Sequence, residues 1–79
     1  MKIIPLEDVQ ENDIVVLLWH DMYCTTKYQT MTGMVRMHNP FKEEMYINDE
    51  VFYIRYKRIL KVKKLDDDET LIYKLKRNL

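Results

Sequence analysis

His20, Asp21, Cys24 and His38 are the side chains of this 79-residue chain whose types could hold a metal ion. Structural zinc sites are usually built from paired short spacings such as Cys-x2-Cys, because two ligands on one turn fix half of a tetrahedron. His20-x3-Cys24 supplies one such half and no second, so the bland reading is stronger: a loop cysteine and two strand-end histidines. Cys24 with His20 is also the one nucleophile–base pairing available. No oxyanion hole accompanies it, since the single glycine, Gly33, is used elsewhere, and so short a chain leaves little room for a substrate cleft. The carboxylates Glu43, Glu44, Asp49 and Glu50 flank a hairpin. Neighbours on alternating strand faces do not converge on one substrate, and they read as a solvated rim. The expectation is no enzyme, no metal and no cofactor.

The densest functional signal is basic. Arg55, Lys57, Arg58, Lys61, Lys63 and Lys64 put six positive charges and no negative one into residues 55–64, interleaved at the start with Tyr53 and Tyr56. Aromatic rings beside a basic groove are how many small β modules hold single-stranded nucleic acid. The same cations would attract an acidic protein surface, or would merely keep a marginal domain soluble. An unpaired charge is costly to bury, so the run must lie on the surface except where it finds acidic partners. Net charge is zero, which argues against a generic histone-like DNA binder, but the charge is asymmetric. Residues 1–50 hold four basic and nine acidic side chains, and residues 51–79 hold nine basic and four acidic.

The elements that must position these residues centre on Ile14-Val15-Val16-Leu17-Leu18-Trp19, the one uninterrupted apolar run. Six residues, half of them β-branched, are too short for a buried helix and fit a strand buried on both faces. Ile3-Ile4-Pro5 reads as a short edge strand. Leu6 and Val9 share one helical turn facing the core, and Asn12-Asp13 turns the chain into the central strand. His20 to Lys27 reads as a long polar loop. Tyr28 to His38 is read as a strand rather than a helix because of its threonines and Gly33, and Gly33 marks a sharp bend. Met31, Met34 and Met37 also fit a helical stripe. With Met22 and Met45 they are mostly core filler, and Met34, if outward, could join an adaptable contact patch. Asn39-Pro40-Phe41-Lys42 and Asn48-Asp49-Glu50 are turns bracketing an alternating strand from Glu43 to Ile47, with Met45 and Ile47 on one face. Val51 to Tyr56 alternates, with Phe52 and Ile54 on one face, and a 3₁₀ turn is expected at Tyr56-Lys57-Arg58. Ile59 to Leu65 is a strand with Leu60 and Val62 inward. Asp66 to Glu69 is a solvated turn, and Thr70 to Lys76 closes the chain as a last strand.

Five or six short strands with turn signals between them predict an all-β chain: one small, strongly bent barrel over residues 1–79, with at most one or two helical turns. Closure would remove edges that invite aggregation. The order of elements over residues 13–65 resembles SH3-like and Sm-like small barrels, and through Thr32-Gly33-Met34-Val35-Arg36 the YolD-like chains of Firmicutes and their prophages. The resemblance implies the fold and not RNA binding, because the Asp-x-x-x-Asn of Sm nucleotide sites does not follow Arg36. The lone cysteine fits a reducing compartment, and no apolar stretch reaches membrane-spanning length, so a cytoplasmic protein is expected. The function expected is a non-enzymatic macromolecular interaction module, with a phage-encoded modulator of a host protein as its specific form. Its binding residues would be Tyr53, Arg55, Tyr56, Lys57, Arg58, Lys61, Lys63 and Lys64, and its partner an acidic protein surface. The alternatives are a single-stranded nucleic-acid binder and a ring- or dimer-forming structural subunit.

Overall fold

The apolar run becomes the strand around which the sheet is built. The computed structural model describes residues 1–77, with side chains described for all of these except Cys24, Thr25 and Thr26. The strands are β1 (Lys2–Ile3), β2 (Ile14–Asp21), β3 (Cys24–Asn39), β4 (Glu44–Ile47), β5 (Glu50–Tyr53) and β6 (Lys57–Lys64). One helix, α1 (Asp67–Arg77), follows them. All pairings are antiparallel, in the order β1-β6-β2-β3-β4-β5, so β2 has a neighbour on each side. Among the described residues β1 and β5 are edge strands, and hydrogen bonding does not close the sheet.

β3 is sixteen residues long and serves two partners, its first part pairing with β2 and its last part with β4. That lets the β4–β5 hairpin fold over the inner face of β2 and β6. Val15, Leu17, Trp19 and Val62 from one side meet Val35, Met45, Ile47 and Phe52 from the other, with Val9 joining them. The ring edge of Phe52 meets Trp19, centroids 5.2 Å apart. Gly33 lies against Ile47 and Asn48 at the end of β4. A Cβ there would overlap Ile47 Cγ2 and the Asn48 amide, so the glycine is needed for a close approach rather than for an unusual φ.

The turns follow their sequence signals. Asn12 enters β2 at φ 75°, a left-handed conformation that asparagine tolerates. Asn48 and Asp49, at φ 50° and 68°, make the primed two-residue turn that suits the twist of a hairpin. The Asn39 side chain accepts from the N–H groups of Phe41 and Lys42.

Four expectations are corrected. The stretch from His20 to Lys27 is not a long loop: β2 runs to Asp21, β3 starts at Cys24, and only Met22 and Tyr23 turn between them. Backbone pairing holds this polar hairpin end, Asp21 lying opposite both Cys24 and Lys57, with Met22 N–H donating to Tyr56 at 3.1 Å. The Cys24 thiol lies outside the described side chains. The 3₁₀ turn falls at Ile54–Tyr56 rather than at 56–58. Leu60 does not point inward with Val62. It is the extra residue of a β-bulge, since Leu18 faces Lys61 while Trp19 faces Ile59, and it is left exposed.

The largest correction is the C-terminus. Thr70 to Lys76 is part of α1, an eleven-residue helix, which exceeds the one or two turns expected. A capping box starts it: Asp66 Oδ1 accepts from Glu69 N–H at 2.8 Å, and Glu69 Oε1 accepts from Asp66 N–H at 3.2 Å. Acidic residues in the first turn and Lys74, Lys76 and Arg77 in the last suit the helix dipole. Among the described residues, no helix is long and apolar enough to cross a membrane.

The cap carries a pH expectation. The Glu69 N–H bond, foremost, holds the Asp66 carboxyl below its ordinary value of 3.8. A depressed carboxylate contributes above its unfolded pKa and loses that contribution as pH falls through the folded one. Helical circular dichroism should therefore drop as pH falls below about 3.8, and Asp66→Ala should show the reduced helicity already at pH 7. An acid titration identical in wild type and Asp66→Ala would refute the cap's role.

Candidate functional site

β2 presents two faces because its side chains alternate. Val15, Leu17 and Trp19 enter the core. Val16, Leu18 and His20 point to the opposite, outer face, Val16 and Leu18 half-buried and His20 buried. Register sets their neighbours. On β3, Thr32 lies opposite Val16 and Thr30 opposite Leu18, while the Tyr28 ring meets His20 edge-on at 5.6 Å. On β6, Lys63 lies opposite Val16, Lys61 opposite Leu18 and Arg58 opposite His20. The outer face is thus an apolar stripe with hydroxyls along one margin and cations along the other. A shallow concavity there is lined by Val16, Leu18, Thr30, Lys61 and Lys63.

The basic run does not act as one surface, and the bulge at Leu60 is the reason. Without it, side chains would alternate unbroken along β6. With it, Lys57 and Ile59 face inward below the bulge and Val62 above, leaving Arg58, Lys61 and Lys63 on the outer face. Lys57 closes one end of the core. Its ammonium lies 4.4 Å from the Trp19 ring centroid and 5.5 Å from that of Phe52, and it pairs with Asp21 at 2.7 Å. Lys64 pairs with Asp13 at 3.2 Å. Arg58, Lys61 and Lys63 have no carboxylate within 4.0 Å among the described residues.

Tyr53, Arg55 and Tyr56 form a separate group at the corner between β5 and β6. The two rings meet edge-on at 6.4 Å, and the Arg55 guanidinium lies 5.9 Å from the Tyr56 centroid while donating to the Lys42 carbonyl at 3.1 Å. Of the eight candidate binding residues, three share the outer face, three share this corner, and Lys57 and Lys64 are engaged in ion pairs. The sequence reading did not single out Val16, Leu18 and Tyr28 as site residues. The signal for Val16 and Leu18 was the even-numbered half of an apolar run, which reads simply as burial, and Tyr28 lies outside that run.

Comparison with known proteins finds no family model, curated relative or solved structure that matches this chain. The site therefore stands on its own geometry. Both histidines are committed to backbone carbonyls: His38 Nδ1 donates to Val9 at 2.9 Å and His20 Nδ1 to Asp21 at 2.9 Å. Among the described residues, no three of the His, Cys, Asp and Glu side chains are grouped closely enough to hold a metal ion.

Proposed function

We propose that this chain is a non-enzymatic interaction module, a small bent barrel of the SH3-like or Sm-like kind, that docks an acidic protein surface on the outer face of β3, β2 and β6. The packing of the β4–β5 hairpin across β2 and β6 supports the barrel reading. One observation carries the functional reading: half-buried Val16 and Leu18 are flanked by Arg58, Lys61 and Lys63, which have no acidic partner within 4.0 Å among the described residues. An apolar centre with a charged margin is the anatomy of a protein–protein contact, and a one-signed margin steers the encounter and selects the partner. Single-stranded nucleic acid is the weaker reading, because it needs rings on which bases stack. Here the Tyr53 and Tyr56 rings are engaged edge-on with each other and with Arg55, and Tyr28 stands at the margin against His20.

The double variant Arg58→Glu, Lys61→Glu tests the reading without altering a core side chain. Affinity capture from the native host with wild-type and variant baits, read by mass spectrometry, should yield a protein retained by the first and lost by the second. Binding to that protein should weaken at least about tenfold, which is about 1.4 kcal/mol, with folding unchanged. Equal binding by a folded variant would reduce the cationic margin to a solubility device. An oligo-dT titration covers the other reading. A log–log salt slope of about −0.7 per contacted phosphate would favour nucleic acid.

A further inference from the structure

A second cationic site lies beyond the Val16–Thr32 end of the stripe, where the last turn of α1 passes the β4–β5 hairpin. Met34, Arg36, Asn48, Asp49, Tyr73, Lys74 and Arg77 line one concavity. Three are cations, brought from two elements distant in sequence. Arg36 is the extra residue of a bulge in β3, since Val35 faces Ile47 while Met37 faces Tyr46. Bulges re-aim side chains in this way. Lys74 and Arg77 are three residues apart on α1 and share a helix face, and the Arg77 guanidinium lies 5.5 Å from the Tyr73 ring centroid. The opposite wall is fixed. The Asn48 side chain accepts from Met34 N–H at 3.1 Å and donates to the Thr32 carbonyl at 3.2 Å.

We infer that Arg36, Lys74 and Arg77 form a binding site for a single phosphate group carried by a small molecule. None of the three has a carboxylate within 4.0 Å among the described residues, although Asp49 shares the concavity. The lining therefore sums to two positive charges, which matches a phosphate monoester near neutral pH, with a charge of about −1.5 to −2. Arginine guanidinium groups meet phosphate oxygens two at a time, and lysine adds a point charge. An extended polyanion fits less well, because the chain leaving the site over the hairpin would pass Asp49 and Glu50. The helix dipole favours cations in the last turn of α1, which accounts for Lys74 and Arg77 but not for Arg36, a strand residue.

The test is a titration of the full chain with inorganic phosphate at constant ionic strength, followed by two-dimensional amide NMR, with sodium chloride as the control. Saturable shifts should appear at Arg36, Asn48, Tyr73 and Arg77. Arg36→Gln and Arg77→Gln should each weaken binding roughly tenfold, and Asp49→Asn should tighten it. All three side chains are exposed, so undisturbed spectra elsewhere will show that the variants fold. Shifts that never saturate, or that chloride reproduces, would overturn the site, as would equal affinity in Arg36→Gln. Oligo-dT binding at these residues more tightly than phosphate would overturn the restriction to a discrete phosphate group. None of these outcomes depends on Arg58 or Lys61, so this site and the stripe on β2 stand or fall separately.

Discussion

Leu17→Ala should unfold most of the population at 25 °C. Leu17 is fully enclosed, in the middle of β2, opposite Met31 on β3 and Val62 on β6. Truncating a core leucine costs about 2–5 kcal/mol, from lost transfer energy and from the cavity left behind. A chain of this length, without a disulfide, rarely holds more than about 3–5 kcal/mol in total. Ile54→Ala is the graded companion. Ile54 is only half-buried, at the edge of the same cluster, and its loss should cost clearly less and leave a cooperative melt at a lower temperature. Urea denaturation of both variants checks the order. A Leu17→Ala midpoint at or above that of Ile54→Ala would displace β2 from the centre of the fold.

Gly33→Ala should also destabilise, against the usual sign for its type. Replacing glycine in a strand generally helps, by about 0.4–1 kcal/mol, because the unfolded chain loses freedom. Here the new methyl would overlap Ile47 Cγ2 and the Asn48 amide. Neither yields readily: Ile47 is 1% exposed within the core, and Asn48 is hydrogen-bonded on both sides to β3. Overpacking of this kind costs about 1–3 kcal/mol, so the overlap outweighs the entropic gain. The damage should be local first, with amide exchange accelerating at Met45, Ile47 and Phe52 before β2. A denaturation midpoint equal to or above wild type would mean that the hairpin stands further from β3 than the structure places it.

These positions were legible to different degrees. The central strand was plain because six apolar residues in a row leave little else to be. The hairpin was plain because Asn48-Asp49 sits between two alternating segments, and Gly33 was marked as a bend, whereas the structure needs it for a close approach to Ile47 and Asn48. The helix was missed because Leu71, Tyr73 and Leu75 alternate like a strand, while Leu71 and Leu75 are equally one turn apart on a helix. Asp66-x-x-Glu69 was the signal that should have decided it, since an acidic N-cap with glutamate three residues on satisfies two backbone donors. The polar end of the β2–β3 hairpin was missed because strands bearing few apolar residues carry no periodic signal, and only backbone pairing defines them. The candidate site was half legible. Composition located the cations, but the bulge at Leu60 resets which of them face outward, and no alternation rule predicts an extra residue.

The order of the sheet also governs how the chain is born. One side of β2 is satisfied by β3, which follows it almost immediately. The other waits for β6, which leaves the ribosome only after the β4–β5 hairpin and the corner at Ile54–Tyr56. Until then the most apolar segment of the protein carries an open row of backbone donors and acceptors, the condition under which nascent chains pair with one another. Lys61 and Lys63 are thus delivered last to the segment most in need of cover, and they bring charge to its outer flank as they bring hydrogen bonds to its edge. A stalled or truncated product ending before Lys57 would keep that edge open, and would be a substrate for chaperones or proteases rather than a smaller version of the same fold.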